Sequence, residues 1–224
     1  MRSKRLPSLF VVRQPPVPRA EVLTAADLIV LSPGVPPMRE AVAAARAAGV
    51  DVPIVLFGYY NPVMSYGELK LATDAADAGA DGFLVVDLPP EEAGPLREAA
   101  IARNMDLIPL IAPTSHEARV QLAASTATSF IYYVSMTGVT GAVGTDLHAA
   151  AQRAGELEAK IGKRIALGFG VSTPQDVQVV AKHVGGVVVG SAVVRAIEAA
   201  PSADAAVLAV SKLVASLAGA TARG

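Results

Sequence analysis

The residues best suited to chemistry lie in two glycine-bearing loops. Gly168-Phe169-Gly170-Val171-Ser172 follows an apolar run and precedes a helix-like stretch, and Gly190-Ser191-Ala192 repeats that arrangement after the next apolar run. Loops of this kind offer backbone N–H groups to an anion without Cβ obstruction, backed by the positive end of a helix. Either loop alone fits a simple tight turn equally well, but the tandem pair favours a phosphate cradle. A third segment, residues 135–144, is rich in glycine and small side chains, a composition that suits a lid closing over a ligand but by itself fits a flexible connection without function better. Three scattered histidines, His116, His148 and His183, have no metal-ligand spacing, and no metal is expected.

Repeated βα units must position these loops. Short β-branched runs at 54–57, 83–86, 107–111, 130–134, 165–169 and 187–189 alternate with alanine-rich stretches of helical period near 67–79, 91–103, 116–125, 146–161 and 174–183. Further helices are predicted at 38–49, 192–198 and 203–218. Thr173 before Pro174 reads as an N-cap followed by proline at the first helical position, and Gly49 and Gly79 read as helix exits. The strands are apolar throughout rather than alternating, so both faces of the sheet are buried, as in a barrel or a doubly wound sheet. Two glycine loops after the last two strands favour the barrel, where the corresponding loops commonly hold phosphate.

Composition narrows the function further. The chain has 224 residues, 52% of them hydrophobic, with 19 basic against 20 acidic side chains. That balance supplies no field for a polyanion, so nucleic acid is not expected as a partner. With no cysteine there is no disulfide, thiol nucleophile or thiolate metal site, which suits a reducing cytoplasm. No apolar run reaches the roughly 18 residues of a membrane span. Residues 1–37 differ from the rest, being rich in proline and arginine. Within them 9–12 reads as part of a disordered basic leader and only 27–31 as a strand, so a domain boundary is drawn at 37, with the barrel over 38–224.

Over about residues 38–224 the motifs occur in the order and approximate spacing of one family. Gly58-Tyr59-Tyr60-Asn61-Pro62, Val86-Asp87-Leu88-Pro89-Pro90-Glu91-Glu92, the segment 135–141, Gly168 through Ser172 and Gly190-Ser191 together resemble the tryptophan synthase alpha subunit, whereas residues 1–37 carry no matching motif. The resemblance implies an α/β (β/α) TIM-type barrel and a lyase of tryptophan biosynthesis that cleaves indole-3-glycerol phosphate to indole and glyceraldehyde 3-phosphate. It implies phosphate contacts at Gly141, Phe169, Gly170, Val171, Gly190 and Ser191. Phe57, Tyr59 and Tyr132 would line an indole pocket, Thr140 would sit in the closing loop, and Asp87 would stand at a strand end beside the substrate. It also implies a cytoplasmic beta subunit as partner, with residues 88–90 at the contact, and no cofactor in this chain.

One part of the family pattern is missing. The first two family strands carry an acidic catalytic residue and a loop with a second carboxylate, and the retro-aldol step needs both. Here residues 1–37 hold only Glu21 and Asp27 as acids, and the loop after 28–31 reads Ser32-Pro33-Gly34-Val35-Pro36-Pro37. Asp87 remains as the one well-placed carboxylate. Impaired turnover is therefore expected, with two alternatives: a non-catalytic module that binds a phosphate ligand or the beta subunit, and another barrel enzyme acting on a phosphosugar. The barrel is expected to be incomplete or rebuilt at its N-terminal strands, and an unpaired edge there would favour self-association.

Overall fold

The computed structural model describes residues 9–13, 28–31, 35–134, 147–168 and 170–221. Its strands are β1 (Leu9–Arg13), β2 (Leu28–Leu31), β3 (Ile54–Gly58), β4 (Gly82–Val85), β5 (Asp106–Ile108), β6 (Leu110–Ile111), β7 (Ile131–Val134), β8 (Ile165–Gly168) and β9 (Gly186–Val189). All pairings are parallel, in the order β5-β4-β3-β2-β1-β9-β8-β7-β6. The two ends of that order, β5 and β6, are consecutive pieces of one extended segment separated by Pro109, and the Tyr132 N–H donates to the Pro109 carbonyl at 3.0 Å. The order therefore runs around a ring that meets itself at Pro109, as a (β/α) barrel does and a doubly wound sheet does not.

The helices are α1 (Val35–Ala47), α2 (Tyr60–Tyr66), α3 (Glu68–Ala78), α4 (Gly94–Ile101), α5 (Glu117–Thr126), α6 (Leu147–Ile161), α7 (Pro174–Ala181), α8 (Ser191–Glu198) and α9 (Ala203–Gly219). Alternate strand residues divide between two layers, which is why the strands are apolar throughout. Val55, Leu84, Ile108, Phe130, Tyr132, Ala166 and Val188 fill the barrel interior. Their neighbours face the helices in two separate clusters. One gathers Ile54, Leu56, Phe83 and Leu107 with Val42 and Ala45 of α1 and with Val50 beyond its end. The other gathers Ile131, Ile165, Leu167, Val187 and Val189 with the apolar faces of α5 to α9.

The barrel floor, at the N-terminal ends of the strands, is closed by two polar hubs. Arg46 donates to the carbonyls of Gly79 (2.9 Å), Val50 (2.5 Å) and Val52 (2.9 Å) and to Asp81 Oδ2 (2.6 Å), which also accepts from the Ile54 N–H at 2.7 Å. Across the floor, Glu158 Oε2 accepts from the N–H groups of Ile165 (2.8 Å) and Gly185 (3.0 Å). These hubs fix where the strands begin, and so where they end at the mouth.

Two elements were not foreseen in the sequence. The run placed in a leader contains β1, which lies between β9 and β2, with Val11 in register with both Val189 and Ile29. The barrel is thus rebuilt on its N-terminal side rather than a strand short, and among the described strands the expected open edge is occupied. Both β1 and β2 join the common sheet from the N-terminal side of the composition boundary at 37. The other element is α2, over residues for which no helix is predicted. Proline in a first helical turn costs no hydrogen bond, so Pro62, the third residue of α2, is accommodated rather than breaking it.

Candidate functional site

Because every strand is parallel, all the C-terminal ends open on one face, and the sequence-predicted residues that are described collect there. Phe57 and Tyr132 belong to the interior layer just below the mouth, with ring centroids 6.4 Å apart in an edge-to-face arrangement. Burial pushes the Tyr132 hydroxyl up to about 12, so it stays a neutral phenol at any physiological pH. Tyr59 does not join this pair. It stands at the N-cap of α2 and is 62% exposed, on the rim rather than in the wall.

Gly168 ends β8 directly against Tyr132. A β-carbon there would overlap the phenol oxygen and lie 2.5 Å from Cζ and 2.8 Å from Cε2, so the interior ring requires a glycine at this strand end. Gly170 adopts φ +81, a left-handed conformation that favours glycine and turns the loop toward α7. The start of α7 is fixed by a capping box. Thr173 Oγ1 accepts from the Asp176 N–H at 3.1 Å, while Asp176 Oδ2 accepts from the N–H groups of Ser172 and Thr173, both at 2.9 Å.

Neighbouring strand β9 leads through Gly190 into α8, whose first residue is Ser191. The amides at the start of an α-helix have no intrahelical acceptor and point outward along the axis. At α8 they face the same rim as the β8–α7 loop, because β8 and β9 leave the sheet side by side, with Gly168 paired to Val188. A side chain that composition did not single out joins the two loops: Arg195 Nη2 donates to Ser172 Oγ at 3.1 Å. Its signal in the sequence is the four-residue spacing from Ser191, which stacks the two positions on one helix face.

Asp87 stands after β4 at the rim, and its Oδ1 accepts from the Tyr60 N–H at 2.6 Å. It thereby caps α2 from outside, where the N-cap residue Tyr59 supplies no side-chain acceptor. Glu91, in the same loop, is held below the usual carboxylate range first by its own backbone N–H and then by Arg119, whose Nε lies 3.3 Å from Glu91 Oε1. An ionised, paired carboxylate of this kind is poorly suited to act as a general acid. Thr140, Gly141 and Phe169, with the segments 135–146 and 32–34, lie outside the described residues. Among the described residues no group of three or more His, Asp or Glu side chains could hold a metal ion.

Fold and rim together define a class: a parallel (β/α) barrel whose last two strands end in glycine loops, the arrangement in which such barrels commonly hold phosphate. A family model described as tryptophan synthase alpha chain matches residues 16–222, and this chain belongs to that family. The match begins earlier than the recognisable motifs, within the proline-rich segment. A tryptophan synthase alpha chain from Geobacter sp. (strain M21) is 49% identical over 148 residues, covering 66% of this chain and 55% of the relative. The chain thus matches little more than half the length of such curated relatives. A tryptophan synthase from Saccharomyces cerevisiae is 41% identical over 189 residues, covering 80% of this chain and 26% of that protein. Among solved structures, tryptophan synthase subunit alpha from Legionella pneumophila str. Paris superposes with a TM-score of 0.79 at 26% identity, covering 98% of this chain and 94% of that one. A chain of the tryptophan synthase complex from Pyrococcus furiosus gives 0.79 at 26% identity, covering 95% and 98%.

Proposed function

We propose that this chain binds indole-3-glycerol phosphate, or its phosphate-bearing fragment, as an alpha-type member of tryptophan biosynthesis, and binds it better than it cleaves it. The observation that carries this reading is the division of the rim. Gly168, Gly170 to Ser172 and Gly190-Ser191 stand on adjacent strand ends, and Arg195 bonds Ser172 across them. Among the described carboxylates of the rim, Asp87 caps α2 and Glu91 pairs with Arg119. Binding energy spent uniformly on the substrate does not lower the chemical barrier. Keeping the phosphate grip while losing positioned acids therefore lowers kcat and leaves Kd comparatively intact.

In this reading the phosphate accepts hydrogen bonds from the amides of Gly141, Phe169, Gly170, Val171, Gly190 and Ser191. The amides of Ser172 and Thr173 are already given to Asp176. Phe57 and Tyr132 form the apolar wall for the indole ring, Tyr59 closes the rim above it, and Thr140 belongs to the covering loop. The chain works in the cytoplasm, where a beta subunit takes up indole at the face formed by residues 88–90 and neighbouring loops. The Pyrococcus relative, described as a tryptophan synthase complex, supports that partnership. Among the described residues no helix is long and apolar enough to cross a membrane. The test is indole release by the purified chain, with and without a beta subunit, beside calorimetric titration with glycerol phosphate. Measurable affinity with little indole is expected, and family-like turnover by the isolated chain would overturn the reading.

A further inference from the structure

We propose that Arg195 is a positioning residue that locks the two phosphate loops in register, an inference that rests on the phosphate reading above. The two loops differ in how they are held. The β8–α7 loop is anchored locally, because the capping box of Thr173 and Asp176 fixes the amides of Ser172 and Thr173. The start of α8 has no such device: its N-cap is Gly190, at φ −120 and ψ −72, with no side-chain cap. Arg195 supplies the missing restraint from one turn further along. Side chains in a helix lean toward its N-terminus, so a residue four positions after Ser191 places its guanidinium over the first turn. From there Nη2 donates to Ser172 Oγ at 3.1 Å, across 23 residues of sequence. The uncapped start of α8 is thereby tied to the capped start of α7.

Charge supports the same assignment. The carboxylate that organises the β8–α7 loop, Asp176, is itself unfavourable to an arriving phosphate dianion. A guanidinium bonded to the side chain of Ser172, whose own N–H is held by Asp176, offsets that carboxylate at the place where the cost arises. Arginine suits the position because its planar fork directs a hydrogen bond, and five donors leave others for solvent or ligand after one is used. Since Arg195 is exposed, its effect is modest and lies in preorganisation rather than in bulk attraction.

The test compares Arg195→Gln, Arg195→Lys, Ser172→Ala and the double variant Arg195→Gln/Ser172→Ala in the full chain. Two readouts are used: the Kd for glycerol phosphate, and the backbone amide resonances of Gly170, Gly190 and Ser191 without ligand. Arg195→Gln and Ser172→Ala should each weaken binding by roughly three- to tenfold, with the double variant no weaker than Arg195→Gln alone and Arg195→Lys recovering part of the loss. Both single variants should shift or broaden the Gly190 and Ser191 amides in the same way, with the urea midpoint unchanged. Additive losses, or a loss with Arg195→Gln that Ser172→Ala does not share, would mean simple charge attraction and overturn the positioning role. If the unmodified chain did not bind glycerol phosphate, the phosphate reading would fall. The amide resonances would then decide the loop tie on their own: unperturbed Gly190 and Ser191 in both variants refute it.

Discussion

Gly168→Ala should act almost entirely through one side chain, Tyr132. The added methyl would overlap the phenol oxygen and come within 2.5 Å of Cζ and 2.8 Å of Cε2, where unstrained carbon contacts lie at about 3.5–4.0 Å. Tyr132 is 5% exposed among Val55, Leu84, Ile108 and Val188, so the ring cannot swing aside without moving the interior layer. Overpacking of this kind costs about 1–3 kcal/mol, and the three short distances place it toward the upper end. Restricting the unfolded chain returns about 0.4–1 kcal/mol, which leaves a net loss near 2 kcal/mol. In a Tyr132→Leu background the clash is gone and the same substitution should be neutral or slightly stabilising. Tyr132→Phe should rescue little, because Cζ remains. Urea denaturation of the four-member Gly168→Ala/Tyr132→Leu cycle reads the coupling, expected at about 2 kcal/mol and favouring the double variant. A coupling under about 0.5 kcal/mol would refute the claim that the interior ring dictates glycine at this strand end.

Tyr132 also sets an alkaline limit. Its folded value of about 12 lies above the ordinary phenol value of 10.0, so its contribution is complete below pH 10 and is lost as pH rises from about 10 to about 12. The loss should approach 3 kcal/mol and should vanish in Tyr132→Phe, as measured by urea midpoints across that window. Arg46→Ala should cost about 2–4 kcal/mol by leaving the Gly79, Val50 and Val52 carbonyls and Asp81 short of a partner, and Arg46→Lys should recover only part, since an ammonium cannot reproduce the fork. Equal stability of the Lys and Arg forms would contradict the hub. Asp87→Ala should lower stability by about 1 kcal/mol through the loss of the α2 cap, with Asp87→Asn milder; a Tm unmoved by Asp87→Ala would remove that role. The Ser129 hydroxyl is buried with no hydrogen-bond partner among the described residues, so Ser129→Ala should raise Tm, and a fall would reveal a partner for it.

The strands that were readable in the sequence are those buried on both faces, because uninterrupted β-branched runs such as 83–86 and 187–189 have few other uses. The capped helix at Thr173-Pro174 was readable for a similar reason, since its signals are local. β1 was not. Four apolar residues among prolines and arginines carry no period, and their strand state is decided by pairing with β2 and, far away in sequence, with Val187 to Val189. The site divides in the same way. Glycine loops announce themselves by composition, and the structure adds Arg195 and the capping role of Asp87, both of which depend on contacts between different βα units. Tyr59 shows the limit of reading a motif as a wall: its neighbour Tyr60 turns inward to Glu68, with Oη to Oε1 at 2.6 Å, while Tyr59 itself stays on the rim.

Among the described side chains the helix-facing core falls into two clusters, over residues 42–107 and 111–220, around one interior layer. The division is not one of strands, because α8 and α9, which belong to the second cluster, also pack on β1 near the start of the chain. The loops after β8 and β9 are backed by the second cluster, whereas β3 and β4 are backed by the first. Substitutions packed under β3 or β4 should therefore reach the ends of β8 and β9 mainly through the shared interior layer. Native-state hydrogen exchange of the β8 and β9 amides in such variants reads that transmission directly.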